Sequence, residues 1–120
     1  MDNEKIKITP REENKIENKQ VLLKELVLAI NRITLSCYGV ARLQAKYFFE
    51  INKKNIKLSD SIEVTMRPNK TYHIRVYVSL VSHTKITEVL SEIQKRIKYE
   101  IEKVYRIKVR KVDIFAQSIE

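Results

Sequence analysis

The carboxyl-terminal half of the chain carries two hydrophobic patterns that differ in period. From Tyr72 to Leu80 the apolar side chains occupy every second position, which is the spacing of a strand with one buried and one solvated face. The apolar residues that follow recur at steps of three and four, the spacing of one helix face. They are Ile86, Val89, Leu90, Ile93, Ile97, Ile101 and Val104. The sequence therefore predicts a strand followed by a long amphipathic helix.

The segments on either side extend this pair into a sheet. Residues 61–67 alternate in the same way, and residues 67–70 have proline and asparagine at the two central positions of a tight turn. We expect Thr84 to cap the long helix through its hydroxyl. The last strand changes phase at Arg110 and Lys111, so this point holds either a β-bulge or the true start of the strand.

The amino-terminal half is less regular. Residues 1–18 are highly charged and lack apolar periodicity, so we expect a mobile arm in which Ile6 and Ile8 add a short edge strand. A first helix is predicted over residues 20–37, and Gly39 follows where a left-handed cap belongs. The remaining expectations are a short strand over residues 40–45, a brief helix over residues 46–52 that presents Tyr47, Phe48 and Ile51 to the core, and a polar loop over residues 52–55.

Together these elements predict an α+β fold. We expect a two-layer sandwich in which two main helices pack on one face of a mainly antiparallel sheet of three to four strands. A chain of 120 residues suits one hydrophobic core. Residues 19–120 are therefore expected to form a single domain behind the arm.

Composition bears on the compartment of the protein. Cys37 is the single cysteine, so an intrachain disulfide is impossible and a reducing compartment is favoured. The first twenty residues have no apolar core of a signal peptide, and charges interrupt the most apolar window, residues 21–35. We expect a cytoplasmic protein without a transmembrane segment.

Reaction chemistry has few candidates in this sequence. Cys37 has no motif that ties it to a base, and two histidines, His73 and His83, are too few for a zinc site. A single glycine excludes the glycine-rich loops that hold phosphates. We expect no catalytic residue, no metal, no cofactor and no small-molecule substrate, with a small hydrolase or transferase built on an unrecognised site as an alternative.

The predicted solvated face of the sheet mixes rings with charge. Its candidate interaction residues are Arg67, His73, Arg75, Tyr77 and Phe115. Such a face can receive a protein partner through aromatic and arginine side chains, can stack nucleic-acid bases, or can be an ordinary solvated sheet face. The net charge of +9 favours anionic partners, although glutamates interleave with the basic residues along the long helix, as on a solvated surface.

Three segments of the chain resemble the alkaline shock protein family of bacteria, in particular its YloU-like branch. The resemblance covers roughly residues 33–119. It is carried by Ser36-Cys37-Tyr38-Gly39-Val40, by residues 83–99 from His83-Thr84-Lys85-Ile86 to Lys98-Tyr99, and by the ending Val109-Arg110-Lys111-Val112-Asp113-Ile114-Phe115-Ala116-Gln117. The chain departs from the family at Ser118, where glycine is usual, and at residues 105–107, which replace a glycine-containing turn.

This resemblance implies a function that the residues alone do not reach. The family consists of small cytoplasmic α+β proteins without known catalysis, linked to cell-envelope and alkaline stress, some of which self-assemble or lie beneath the membrane through an anchor protein. The YloU-like branch is often encoded beside a fatty acid kinase. The resemblance therefore implies a non-enzymatic accessory or scaffold protein that acts through protein contacts in envelope or stress homeostasis. A small basic RNA- or DNA-binding module is the alternative.

Overall fold

The fold is an α+β sandwich, seen here in a computed structural model that describes residues 10–47 and 57–120. In chain order the elements are α1 (Pro10–Leu35), β1 (Val40–Leu43), α2 (Leu58–Ser61), β2 (Ile62–Met66), β3 (Thr71–Leu80), α3 (Ile86–Tyr105) and β4 (Lys108–Ile119). The two long helices pack against the sheet, which confirms the predicted fold class.

Strand β3 is the centre of the described sheet. β2 and β1 pair with it in antiparallel fashion along one edge, β2 near its start and β1 near its end. β4 pairs with the opposite edge in parallel, from Thr71 opposite Lys108 to Leu80 opposite Ile119. Parallel neighbours need a crossover connection, and α3 provides it. The sheet is therefore antiparallel in two ladders, while its longest ladder is parallel.

The core lies between the helices and one face of this sheet. Ile93 and Ile97 of α3 and Ile74, Val76 and Val78 of β3 are all completely buried. The predicted stripe of α3 is buried only in its middle, because Ile86 and Val104 lie in the terminal turns and are 38% and 67% exposed. The periodicity of the sequence identifies the correct helix face, but it does not show where the sheet beneath that face ends.

Gly39 joins α1 to β1 at a close contact with α3. Its φ is +91°, and an added Cβ would lie 2.7 Å from Cγ2 of Val89. A side chain is therefore excluded both by backbone conformation and by space. The prediction of a left-handed glycine after the first helix is confirmed.

Two irregularities predicted for the strands are also confirmed. In the β2–β3 turn, Lys70 N–H donates to the carbonyl of Arg67 at 2.9 Å, and Lys70 takes a left-handed φ of 63°. In β4, Val109 pairs with Tyr72 and Lys111 with His73, so Arg110 is an extra residue. The phase change in the sequence is thus a β-bulge within β4.

The amino-terminal helix is longer than predicted. It begins at Pro10 and not near Gln20, so residues 10–18 of the expected arm are helical. Proline is well suited to a first turn because the N–H that it lacks would have no helical partner there. The mobility of the arm and the domain boundary at residue 18 stay predictions, and the strand expected at Ile6 and Ile8 lies outside the described residues.

Two local predictions are wrong. Thr84 does not cap α3: Lys85 is the N-cap residue, and the hydroxyl of Thr84 donates instead to the carbonyl of Val81 at 2.7 Å. Tyr47 is not in the core but 49% exposed, with the ammonium of Lys46 lying 5.0 Å from its ring centroid. The other residues of that expected helix, Phe48 and Ile51, and the polar loop over residues 52–55 lie outside the described residues.

Candidate interaction surface

The sheet face opposite the helices brings together the residues predicted for an interaction surface. On three neighbouring strands, Glu63 pairs with Arg75, Arg75 with Asp113, and Tyr77 with Phe115. We call this the outer sheet face and define it by Lys46, Glu63, Arg67, His73, Arg75, Tyr77, Asp113 and Phe115. Alternation along the strands places its polar members opposite the aliphatic core.

A stacked aromatic pair lies on the outer sheet face. The rings of Tyr77 and Phe115 have centroids 4.8 Å apart and planes 14° apart. Phe115 is 39% exposed and Tyr77 is half-buried. Burial, and then the charge of Glu63, raise the pKa of Tyr77, so the phenol stays neutral at physiological pH. The pair offers an uncharged, rigid aromatic surface because both backbones are fixed in the parallel ladder.

Beside the rings, a polar group holds His73 in place. His73 Nε2 lies 2.8 Å from Oδ2 of Asp113, and its Nδ1 lies 3.5 Å from Nη2 of Arg67. The ring is only 6% exposed. His73 is therefore one of the predicted surface residues by position, but it supports the face from within and offers little contact area. Arg67 and Arg75 are exposed.

Lys46 joins the outer sheet face from the segment after β1. Its ammonium forms an ion pair with Glu63, and this hydrogen bond raises the pKa of Lys46. Gln117 Nε2 donates to the carbonyls of Ala45 and Lys46, both at 3.1 Å, which ties this segment to β4. Sequence reasoning missed Lys46 because the chain path after β1 carries it to the face, and no periodic pattern marks that path.

A second group of polar side chains lies at the carboxyl end of β3. One carboxylate oxygen of Glu120 accepts from Nε of Arg42 at 2.6 Å and from Oγ of Ser79 at 2.7 Å. The bond from Arg42, and then that from Ser79, lower the pKa of Glu120. Ser118, where the resemblance implies glycine, donates its hydroxyl to Oγ of Ser79 at 2.9 Å. Serine at this position therefore forms a hydrogen bond that glycine could not.

Cys37 lies in the core and not on this surface. It is 5% exposed, with its sulfur 3.3 Å from the carbonyl of Ile33 and 3.6 Å from Nη1 of Arg96. Burial raises the pKa of Cys37 despite the opposing effect of Arg96, so the protonated thiol is favoured. This environment suits a small core residue better than a nucleophile.

Two further findings concern metals and membranes. Over residues 10–47 and 57–120, no three His, Cys, Asp or Glu side chains are grouped as a metal site would require. In the same part of the chain, no helix combines the length and apolar character needed to cross a bilayer.

Comparison with known proteins identifies a family. Residues 11–120 match the sequence model of the alkaline shock protein 23 family, which is described as having a cell envelope-related function. No curated protein and no solved structure matches the chain significantly. The match covers nearly the whole chain, including every strand of the outer sheet face. It does not distinguish the YloU-like branch from the rest of the family.

Proposed function

Because this chain belongs to the alkaline shock protein family, which has a cell envelope-related function, we propose that it serves the envelope as a non-enzymatic cytoplasmic accessory protein. In this proposal it acts through protein contacts made by the outer sheet face. The partner is an envelope protein, a membrane-anchor protein or a second copy of this chain. The resemblance to the YloU-like branch adds a fatty acid kinase system as a candidate partner, and envelope stress as the setting.

The observation that carries the proposal is the stacked pair of Tyr77 and Phe115. The described helices pack on the opposite side of the sheet, so this pair faces outward, in the row next to Arg75 and the ion pair of Lys46 with Glu63. Tyrosine and arginine are enriched among the residues that dominate binding energy at protein interfaces. Their fixed positions in the sheet reduce the entropy lost on binding.

Crosslinking in the native cell tests this proposal. A photoreactive amino acid at Thr65, which is exposed on the same face opposite His73, would capture whatever covers the outer sheet face. We expect envelope proteins, components of a lipid-kinase system or a second copy of the chain. Phe115→Ala should reduce the capture at least tenfold, because loss of an interface aromatic costs roughly 2 kcal/mol or more.

The matched control is Tyr38→Ala. Tyr38 is 79% exposed and lies in the turn after α1, beside the start of α3, so its removal should leave the capture unchanged. Capture of no envelope, lipid-kinase or self partner would count against the proposal. So would equal loss in the Phe115 and Tyr38 variants.

A further inference from the structure

A concentration of basic side chains lies at one end of the sheet, away from the aromatic pair. We call it the basic end and define it by Lys70, Lys103, Arg106, Lys108, Arg110 and Lys111, all of which are exposed. Three elements bring them together: the β2–β3 turn, the last turn of α3 and the start of β4. The pairing of Thr71 with Lys108 places that turn and the start of β4 side by side.

The carboxylates near the basic end are already engaged. Glu102 accepts a hydrogen bond from the backbone N–H of Val109 at 2.8 Å, which fixes the turn between α3 and β4. Asp113 lies 2.8 Å from His73 Nε2 and 3.9 Å from Nζ of Lys111. These contacts leave most of the local positive charge without a neutralising partner among the described residues. A negatively charged surface of another molecule would therefore be complementary to the basic end.

Two members of the basic end lie in turns with a left-handed backbone conformation. Lys70 and Arg106 take left-handed φ values of 63° and 55°. His83, outside the basic end, takes a similar φ of 69°. The Cβ of any residue other than glycine crowds the following carbonyl in this conformation. Both turns of the basic end are therefore positions at which glycine would relieve backbone strain.

We propose that the basic end binds the surface of a bilayer that contains anionic phospholipids. Clustered lysine and arginine side chains are attracted to such a surface, and exposed apolar side chains beside them add contact with the boundary of the acyl region. Val104, in the last turn of α3, is 67% exposed. Tyr99, one turn before Lys103, is 63% exposed, with the ammonium of Lys103 5.5 Å from its ring centroid. A nucleic acid offers the same negative charge and can stack on a ring, but it has no acyl region for an aliphatic side chain, so Val104 favours lipid.

This inference goes beyond the proposed function, because it concerns lipid and uses neither Tyr77 nor Phe115. The two share only the envelope-related description of the family. A chain that binds vesicles and captures no protein would support the inference and contradict the proposed function. A chain that captures a protein and does not bind vesicles would support the proposed function and contradict the inference.

Co-sedimentation of the full chain with vesicles tests the inference. Vesicles of phosphatidylglycerol and phosphatidylcholine should bind the chain at ~50 mM salt, whereas pure phosphatidylcholine should not, and binding should fall steeply by ~300 mM salt as screening increases. Lys108→Glu should weaken binding about 25-fold, at roughly 5-fold for each unit of charge lost near the surface.

The matched control is Lys85→Glu, which makes the same charge change at the opposite end of α3. Lys85 is exposed, and the 20-residue helix separates it from the basic end by about 30 Å. We expect its vesicle binding to stay within about twofold of the wild type, since charges that far apart are screened.

The variant Arg106→Gly distinguishes an effect on vesicle binding from an effect on folding stability. It removes one charge and relieves the left-handed backbone of a non-glycine residue, so thermal stability should rise while vesicle binding falls about 5-fold. A merely structural role for Arg106 would predict the rise in stability without the fall in binding.

Three results would overturn the inference. They are no binding to anionic vesicles at ~50 mM salt, equal weakening by Lys108→Glu and Lys85→Glu, and tighter binding of duplex DNA or RNA than of vesicles with the same dependence on Lys108. The last result would assign the basic end to nucleic acid.

Discussion

The same strands build two faces of the sheet that differ in chemistry. Along β3, Ile74, Val76 and Val78 are completely buried beneath the helices, whereas Arg75 and Tyr77 between them face the other side. The helical face is aliphatic and close-packed. The outer sheet face is held by ion pairs, a buried histidine and a ring stack. The comparison indicates that the helical face maintains the fold, while the outer sheet face is the one to which the proposed function assigns partner binding.

The largest expected effect comes from the helical face. Ile97 is completely buried, so Ile97→Ala should lower the free energy of unfolding by about 2–5 kcal/mol through lost burial and a cavity. Val104→Ala changes the same stripe of α3 at an exposed position and should cost less than about 0.5 kcal/mol. Urea unfolding measures both. Equal losses would contradict the division of α3 into a buried middle and an exposed end.

The next largest effect is expected for Gly39→Ala, which should lower the free energy of unfolding by about 2–3 kcal/mol. The added Cβ meets Val89 Cγ2 at 2.7 Å, and the φ of +91° strains any residue other than glycine. Val89→Ala in the same chain should recover the steric part of this loss but not the backbone part. The double-variant cycle measures the recovery, and strictly additive losses would show that the close contact has no energetic role.

A smaller loss is expected on the outer sheet face. Asp113→Ala removes the partner of His73 Nε2 and leaves a buried ring nitrogen without its 2.8 Å contact, so unfolding should become easier by about 1–2 kcal/mol. Thr87→Ala is the control, since Thr87 is exposed in the first turn of α3, away from His73. If thermal unfolding places both variants at the wild-type value, the polar group around His73 does not support this face.

The polar group at Glu120 should respond to pH. Its lowered pKa means that the folded state favours the carboxylate, so its stabilisation is present above the ordinary pKa of 4.5 and disappears as the pH falls through the lower value of the folded state. Wild type should therefore exceed Glu120→Gln in stability at pH 7, and the difference should vanish in acid. A difference that is constant across this range would exclude the ion pair with Arg42 as its source.

Much of the fold could be predicted from period alone. The alternation in β3 and the three-and-four spacing in α3 identify the side of each element that faces the core, and the phase change at Arg110 marks the position of an irregularity that the structure shows to be a bulge. Other features depend on which hydrogen bonds a side chain makes and on where a helix begins, and periodicity reveals neither. The hydroxyl of Thr84 bonds to the carbonyl of Val81 rather than capping α3, and a charged amino-terminal segment forms the first turns of α1.

The sequence predicts which side chains share the outer sheet face, but it does not predict the contacts among them. Alternation places Arg67, His73, Arg75, Tyr77 and Phe115 on one side of the sheet. It does not show that His73 is buried against Asp113, since that depends on the parallel register of β3 with β4. Nor does it show that Lys46 reaches Glu63, because the path after β1 determines that contact.

Neighbouring residues of β4 provide the most direct test of the two-face account. Ile114 is 8% exposed on the helical face, and Phe115 is 39% exposed on the outer sheet face. We would measure urea unfolding and capture by the photoreactive residue at position 65 in native cells for Ile114→Ala and Phe115→Ala. The account predicts that Ile114→Ala lowers stability by about 2–4 kcal/mol and keeps its partner while folded. Phe115→Ala should stay within about 1 kcal/mol of wild type and lose the partner. Retention of the full capture by Phe115→Ala would contradict the account.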